Sequence, residues 1–114
     1  MFGADARVET DRAARYLKQL TRHVSQMRAR HGLALHGGDR QPKVLRVESR
    51  SNAAKMQFEI GTCFLEAHED ALLLRLVADD ETNLQVLQDA IAHRLTTVGR
   101  REKLTVTWTR EMTA

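Results

Sequence analysis

The spacing of apolar residues changes character twice along this chain. After Thr10-Asp11, either of which can cap a helix, Ala13, Leu17, Leu20, Val24 and Met27 recur three and four apart, the apolar stripe of an amphipathic helix. Arg28, Arg30 and His31 fall in its last turn, where cations suit the negative end of the dipole, and Gly32 supplies a stop. The short run Ala6-Arg7-Val8-Glu9 before it predicts an edge strand. Gly32, Gly37-Gly38-Asp39 and Pro42 punctuate a loop over 32–43, long for a compact connection.

From Val44 the period becomes two. Leu45 and Val47 alternate with Arg46 and Glu48, and Met56, Phe58 and Ile60 alternate with Lys55, Gln57 and Glu59. Ser49-Arg50-Ser51-Asn52 is turn chemistry between these two strands, and Gly61 breaks the second as a tight turn or bulge would. A hairpin turning about Glu69-Asp70 then sets Ala67 opposite Leu72, Leu65 opposite Leu74 and Cys63 opposite Leu76 on one face. The other face pairs Glu66 with Leu73, Phe64 with Arg75 and Thr62 with Val77. Phe64, Leu73 and Val77 on that mixed face need either a cover or a partner.

A second helix opens at Asp79-Asp80-Glu81, buries Leu84, Leu87, Ile91, Leu95 and Val98, and ends at Gly99. Leu104, Val106 and Trp108, alternating with threonines, predict a closing strand. The order is β-α-β-β-β-β-α-β. Two helices and a mostly antiparallel sheet give an α+β two-layer sandwich with both helices on one face, leaving the other face for water, a ligand or a second subunit.

Length and charge narrow the picture. A chain of 114 residues fits one domain over 1–114, large enough for a core without staples. No apolar run approaches the ~18 residues of a membrane span. Met1-Phe2-Gly3-Ala4-Asp5 lacks the basic and apolar regions of a secretory signal, and the single cysteine, Cys63, cannot form an internal disulfide. These features predict a cytoplasmic protein. The net charge of +3 divides into +7 over residues 1–57 and −4 over 58–114. Arg12, Arg15, Lys18, Arg22, Arg28 and Arg30 share the first helix with no acid among them. Such a stripe suits phosphate, an anionic membrane or an acidic partner, and equally a solvated face.

Four groups of residues carry a resemblance to a known family. They are Ala6-Arg7-Val8 with Ala14-x-Tyr16-Leu17-x-x-Leu20-x-x-His23, then Phe58-x-x-Gly61-x-Cys63-x-Leu65, then Leu72-x-Leu74 leading to Ala78. The last is His93-x-Leu95 with Arg100-Arg101, Leu104 and Trp108. In order and spacing they resemble the bacterial domain of unknown function twenty-two-eighteen, over nearly the whole chain. The resemblance implies no established activity. Family members stand alone or are attached to siderophore-interacting, ferric-reductase-like proteins, which implies a link to iron handling by context. The chain departs from the pattern at Val24 and Gln26, where members often carry an aromatic residue and a second histidine. Its segment 28–43 is also longer than usual.

The chemistry-bearing residues are few. His23 and His93 ride the helices near their apolar stripes without a ligand partner at helical spacing, and His31 and His36 flank a glycine turn, so no metal site is expected. Cys63 reads as a buried small hydrophobe. Asp79, Asp80 and Glu81 have a structural reason at a helix start. Trp108 either stacks with Arg101 or joins the core. No cofactor-binding motif appears. The expectation is therefore a binding or accessory domain rather than an enzyme. Its partner surface would be the sheet face around Phe64, Leu73 and Val77, with His23, His93 and Arg101 as further contacts, serving a protein partner or self-association as a homodimer. With the family context, the partner would be a siderophore-handling reductase or its ferric ligand. The alternative is an RNA- or DNA-binding module using the first-helix arginines, and a small enzyme comes third.

Overall fold

The computed structural model describes residues 2–30 and 44–112, with the backbone alone for 26–30 and 111–112. The predicted 32–43 loop, the Gly32 stop, and His31 and His36 lie outside the described residues. Eight elements follow in the expected order: β1 (Phe2–Glu9), α1 (Ala13–Arg30), β2 (Val44–Ser49), β3 (Ala53–Phe58), β4 (Gly61–Ala67), β5 (Ala71–Ala78), α2 (Glu81–Val98) and β6 (Trp108–Met112). They form an α+β sandwich. Its one antiparallel sheet has the strand order β2-β3-β4-β5-β1-β6, and both helices cover the same face.

The covered face is built by strand alternation. Ala4, Ala6 and Val8 from β1, Cys63 and Leu65 from β4, and Leu72, Leu74 and Leu76 from β5 are all buried against the helices. From α1 come Leu17, Leu20 and Val24, and from α2 Leu84, Leu87, Ile91 and Leu95. The hairpin register follows the arithmetic of its turn: Ala67 faces Leu72, Leu65 faces Leu74 and Cys63 faces Leu76. Arg50 N donates to Ala53 O at 2.7 Å, closing the predicted turn between β2 and β3. Asp80 caps α2, its Oδ1 accepting from Asn83 N at 2.7 Å, and Gly99 N donates to Leu95 O at 2.9 Å at the other end. For α1, Thr10 Oγ1 accepts from Arg12 N at 3.1 Å.

Four expectations are corrected. β1 begins at Phe2 and is an interior strand, paired on both sides, because β6 returns to its outer edge. In β2 a register shift between Val44 and Arg46 turns Leu45 outward, 48% exposed, while Val44 and Val47 pack inward. Ile60 belongs to the two-residue turn between β3 and β4, where Phe58 faces Gly61. The last strand starts at Trp108, since Leu104 folds onto the end of α2 and is buried over Gly99. Between them Glu102 N donates to Gly99 O and Lys103 N to Arg100 O, winding a tight turn in which Lys103 takes left-handed backbone at φ 55°.

Gly61 lies at a close approach between β4, β5 and α2. A Cβ there would stand 2.5 Å from Val77 O and 2.7 Å from a methyl of Leu87. The backbone oxygen cannot yield as a side chain can, so Gly61→Ala should destabilise by about 1–3 kcal/mol. A thermal melt followed by circular dichroism checks this. An unchanged midpoint would mean that β5 and α2 do not press on β4 at this point.

Candidate functional site

The sheet face away from the helices carries one continuous row across all six strands. From β2 to β6 it runs Glu48, Lys55, Phe64, Arg75, Asp5 and Thr109, each residue opposite the next. Phe64 at its centre is 39% exposed. The Lys55 ammonium stands 5.7 Å from the Phe64 ring centroid, within cation–π range. On the other flank Arg75 lies 3.5 Å from Asp5. The neighbouring row holds Ala53, Glu66, Leu73 and Arg7, with Arg7 3.3 Å from Asp70. Both rows line a concave depression of about 990 Å³, whose lining includes Phe64 and Leu73, the cations Arg7, Lys55 and Arg75, and the carboxylates Asp5, Glu48 and Glu66. Val77 is half-buried in the row beyond, beside Thr62 and Gly3, and does not line it.

A second concavity, about 350 Å³, lies on the helix side, between the start of α1 and the turn after α2. Arg12, Arg15, Arg100 and Arg101 line it together with Tyr16 and Gln19. Lys18 and Arg22, the rest of the predicted stripe within the described side chains, are exposed on α1 and do not line it. Of Arg28 and Arg30 only the helical backbone is described. The corner is tied by Glu102. Its carboxylate accepts from Tyr16 Oη at 2.6 Å and from Thr10 Oγ1 at 2.9 Å, and Arg12 Nε lies 3.7 Å away.

The bacterial family described as "Uncharacterized protein conserved in bacteria", domain of unknown function DUF2218, matches residues 5–109. The chain belongs to this family. Among solved structures, the NMR structure of PA4090 from Pseudomonas aeruginosa is similar with a TM-score of 0.67 and 28% identity, over 96% of each chain. Among curated proteins, the mitochondrial iron-sulfur clusters transporter ATM1 of Saccharomyces cerevisiae is 30% identical over 99 residues. That match takes in 87% of this chain but only 14% of the transporter, so the chain spans a small part of that relative's length.

In this DUF2218 chain the residues that carried the resemblance serve mostly the fold. Gly61 admits the Val77 carbonyl, and Cys63, Leu65, Leu72, Leu74 and Ala78 are core. Burial pushes the Cys63 thiol well above its ordinary range, so it stays protonated. His93, expected near the apolar stripe, is exposed on the outer face of α2, where its carbonyl accepts from the Thr96 and Thr97 hydroxyls. His23 is half-buried on α1. Neither concavity brings His23, His93 and Cys63 together. Among the described residues no cluster of three His, Cys, Asp or Glu side chains is placed to hold a metal ion, and no helix is long and apolar enough to cross a membrane. Trp108 packs against the core, while Arg101 lines the arginine corner, so the two do not stack there.

The Glu102 tie has a pH signature. The hydroxyls of Tyr16 and Thr10, then Arg12 and Arg15, hold the Glu102 carboxyl below its ordinary value. Its contribution is therefore full above the unfolded carboxylate range and lost as pH falls through the lowered folded value. Burial, then the Glu102 bond, raises the Tyr16 hydroxyl, so its part persists up to the unfolded tyrosine range and is lost as pH rises through the raised value. Glu102→Gln should melt below the parent at pH 7, with the gap closing below about pH 4 as the parent carboxyl takes up its proton. Melting curves from pH 3 to 8 test it, and a gap that stays constant throughout would show that the Glu102 charge contributes nothing.

Proposed function

We propose that this chain is a binding domain of an iron-handling system, and that it holds an anionic ferric chelate of the siderophore class on the open face of its sheet. The observation that supports this most directly is the exposed Phe64 ring between Lys55 and Arg75 in the lining of the 990 Å³ depression. A ferric catecholate has aromatic rings and net negative charge. One ring stacks offset on Phe64 while the ammonium and guanidinium on either side meet the chelate oxygens. The ion pairs that Arg75 and Arg7 make with Asp5 and Asp70 are exposed, worth about 0–1 kcal/mol each, and can be exchanged for a ligand. A cleft of this size suits a ligand of that bulk. The siderophore-linked context that the family resemblance implies supports the iron reading, and the printed name of the transporter relative adds slightly to it.

The order of signs along the central row argues for a ligand over a second copy. The row reads minus, plus, aromatic, plus, minus, the same from either end. In a face-to-face pair of sheets, a two-fold axis through Phe64 along the strands or along the row would set cation on cation and carboxylate on carboxylate.

Titration calorimetry with a ferric catecholate siderophore and its iron-free form tests the reading. The ferric form should bind, and the pair of substitutions Phe64→Ala and Lys55→Glu should weaken it by about tenfold or more while leaving the fold intact. No heat with the ferric form, or affinity unchanged in the variant, would overturn the proposal. A stable dimer in sedimentation that Phe64→Ala dissociates would also overturn it, by giving the face to a second copy.

A further inference from the structure

We infer that the corner between the start of α1 and the turn after α2 is a binding site for a phosphate-class oxyanion, separate from the open sheet face. Arg12, Arg15, Arg100 and Arg101 reach one concavity of about 350 Å³ from two segments some 85 residues apart in the chain. Only Arg12 among them is paired, with Glu102 at 3.7 Å and Asp11 at 4.0 Å. Arg15, Arg100 and Arg101 have no ion pair among the described residues. Glu102 answers part of this charge, since it pairs with Arg12 and attracts Arg15 while its oxygens accept from Tyr16 and Thr10, and Arg100 and Arg101 are left without a carboxylate partner among the described residues. Guanidinium groups gathered around a concavity repel one another unless an anion enters it.

The donor chemistry selects the kind of anion. Every cation lining the concavity is arginine, whose planar fork gives paired N–H bonds to carboxylate or phosphate oxygens, while the lysine of the same helix is excluded from it. Four cations against the Glu102 and Asp11 carboxylates leave an excess of two positive charges, which favours an anion carrying more than one negative charge, as a phosphate monoester does at neutral pH. Gln19 also lines the concavity; its Oε1 is buried with no hydrogen-bond partner among the described residues, and a turn of the side-chain amide would bring a polar group to the ligand. The helix dipoles do not decide the sign, since α1 brings its positive end to this corner and α2 its negative end. The arginines therefore set it. The concavity holds a phosphate with a small body attached, and Tyr16 and Val98 supply apolar wall for that body.

The test is calorimetry and thermal melting of the full chain with inorganic phosphate and with phenyl phosphate, against sodium chloride at matched ionic strength. Both phosphates should bind and raise the midpoint beyond the chloride control. Tighter binding of phenyl phosphate identifies an ester as the source of the oxyanion, and tighter binding of inorganic phosphate identifies the free ion. Replacing Arg15 and Arg101 with glutamine should cost about tenfold or more in affinity, because each removes charge-assisted hydrogen bonds. Replacing Lys18 and Arg22, on the same helix but outside the concavity, should leave affinity unchanged. If the first variant melts poorly, Arg100→Gln reads the same site. No effect beyond chloride, or equal losses in both variants, would overturn the inference. So would a single-stranded oligonucleotide that binds through Lys18 and Arg22 while phosphate does not bind at all, since the stripe and not the concavity would then be the anion surface.

Discussion

Two helices have one leucine-rich sheet face to bury, and the rest of the molecule follows from how they do it. Leu72, Leu74 and Leu76 of β5 sit at the middle of that face, with Cys63 and Leu65 on one side and Ala4, Ala6 and Val8 on the other. α1 lies over the β2–β5 half, and α2 over β5, β1 and β4. Removing any of the fully buried leucines would leave a cavity costing about 2–5 kcal/mol, a large part of the stability of a domain this size. Both helices are committed to one side, and among the described residues no helix lies on the other side of the sheet.

The same arrangement creates the arginine corner. Placing α1 and α2 side by side brings the first turns of one beside the last turn of the other, and the chain leaving α2 must turn sharply to return along β1. That turn holds Arg100, Arg101 and Glu102. Glu102 then fastens it to the start of α1 through Tyr16 and Thr10, and the arginines either side of the tie line one concavity. The corner is thus a product of the helix pairing and not of any local motif, which is why its charges come from both ends of the sequence.

Elements with a strong period were legible from the residues alone. The register of β4 on β5 followed from one turn position, and the α2 cap and stop followed from Asp80 and Gly99. The pairing of Lys55 with Phe64 was within reach of the same arithmetic, since a turn at Glu59-Ile60 sets them opposite each other. What periodicity cannot carry is long-range neighbourhood. That β1 is interior depends on β6 returning beside it, a pairing of Phe2 with Met112 at opposite ends of the chain. The outward turn of Leu45 depends on a bulge, which leaves no mark in a two-residue alternation. Leu104 fits a strand pattern and is instead drawn onto α2 by the space over Gly99. The Tyr16–Glu102 bond spans 86 positions and has no local signal. Phe64 and Leu73 were legible as residues needing an explanation, whereas the symmetric order of charges around Phe64 needed the full sheet.

The edges of the sheet bear on how a partner can approach. An antiparallel sheet with free edges can recruit an extended segment by strand addition. Here β2 carries a bulge at one edge, and an Arg46–Glu48 ion pair of 2.8 Å stands on the strand. Bulges and charged side chains are the devices that discourage edge pairing. At the other edge β6 is only five residues long, and Arg110 turns back to hydrogen-bond Glu81 at 3.0 Å and Gln85 on α2. With both edges protected, recognition through backbone ladders is disfavoured, which leaves the side chains of the open face and of the arginine corner as the candidate surfaces among the described residues. One offers an aromatic ring between cations, the other a concavity of guanidinium groups. They differ in shape and in how far their charges are already paired, so a ligand suited to one is poorly matched to the other.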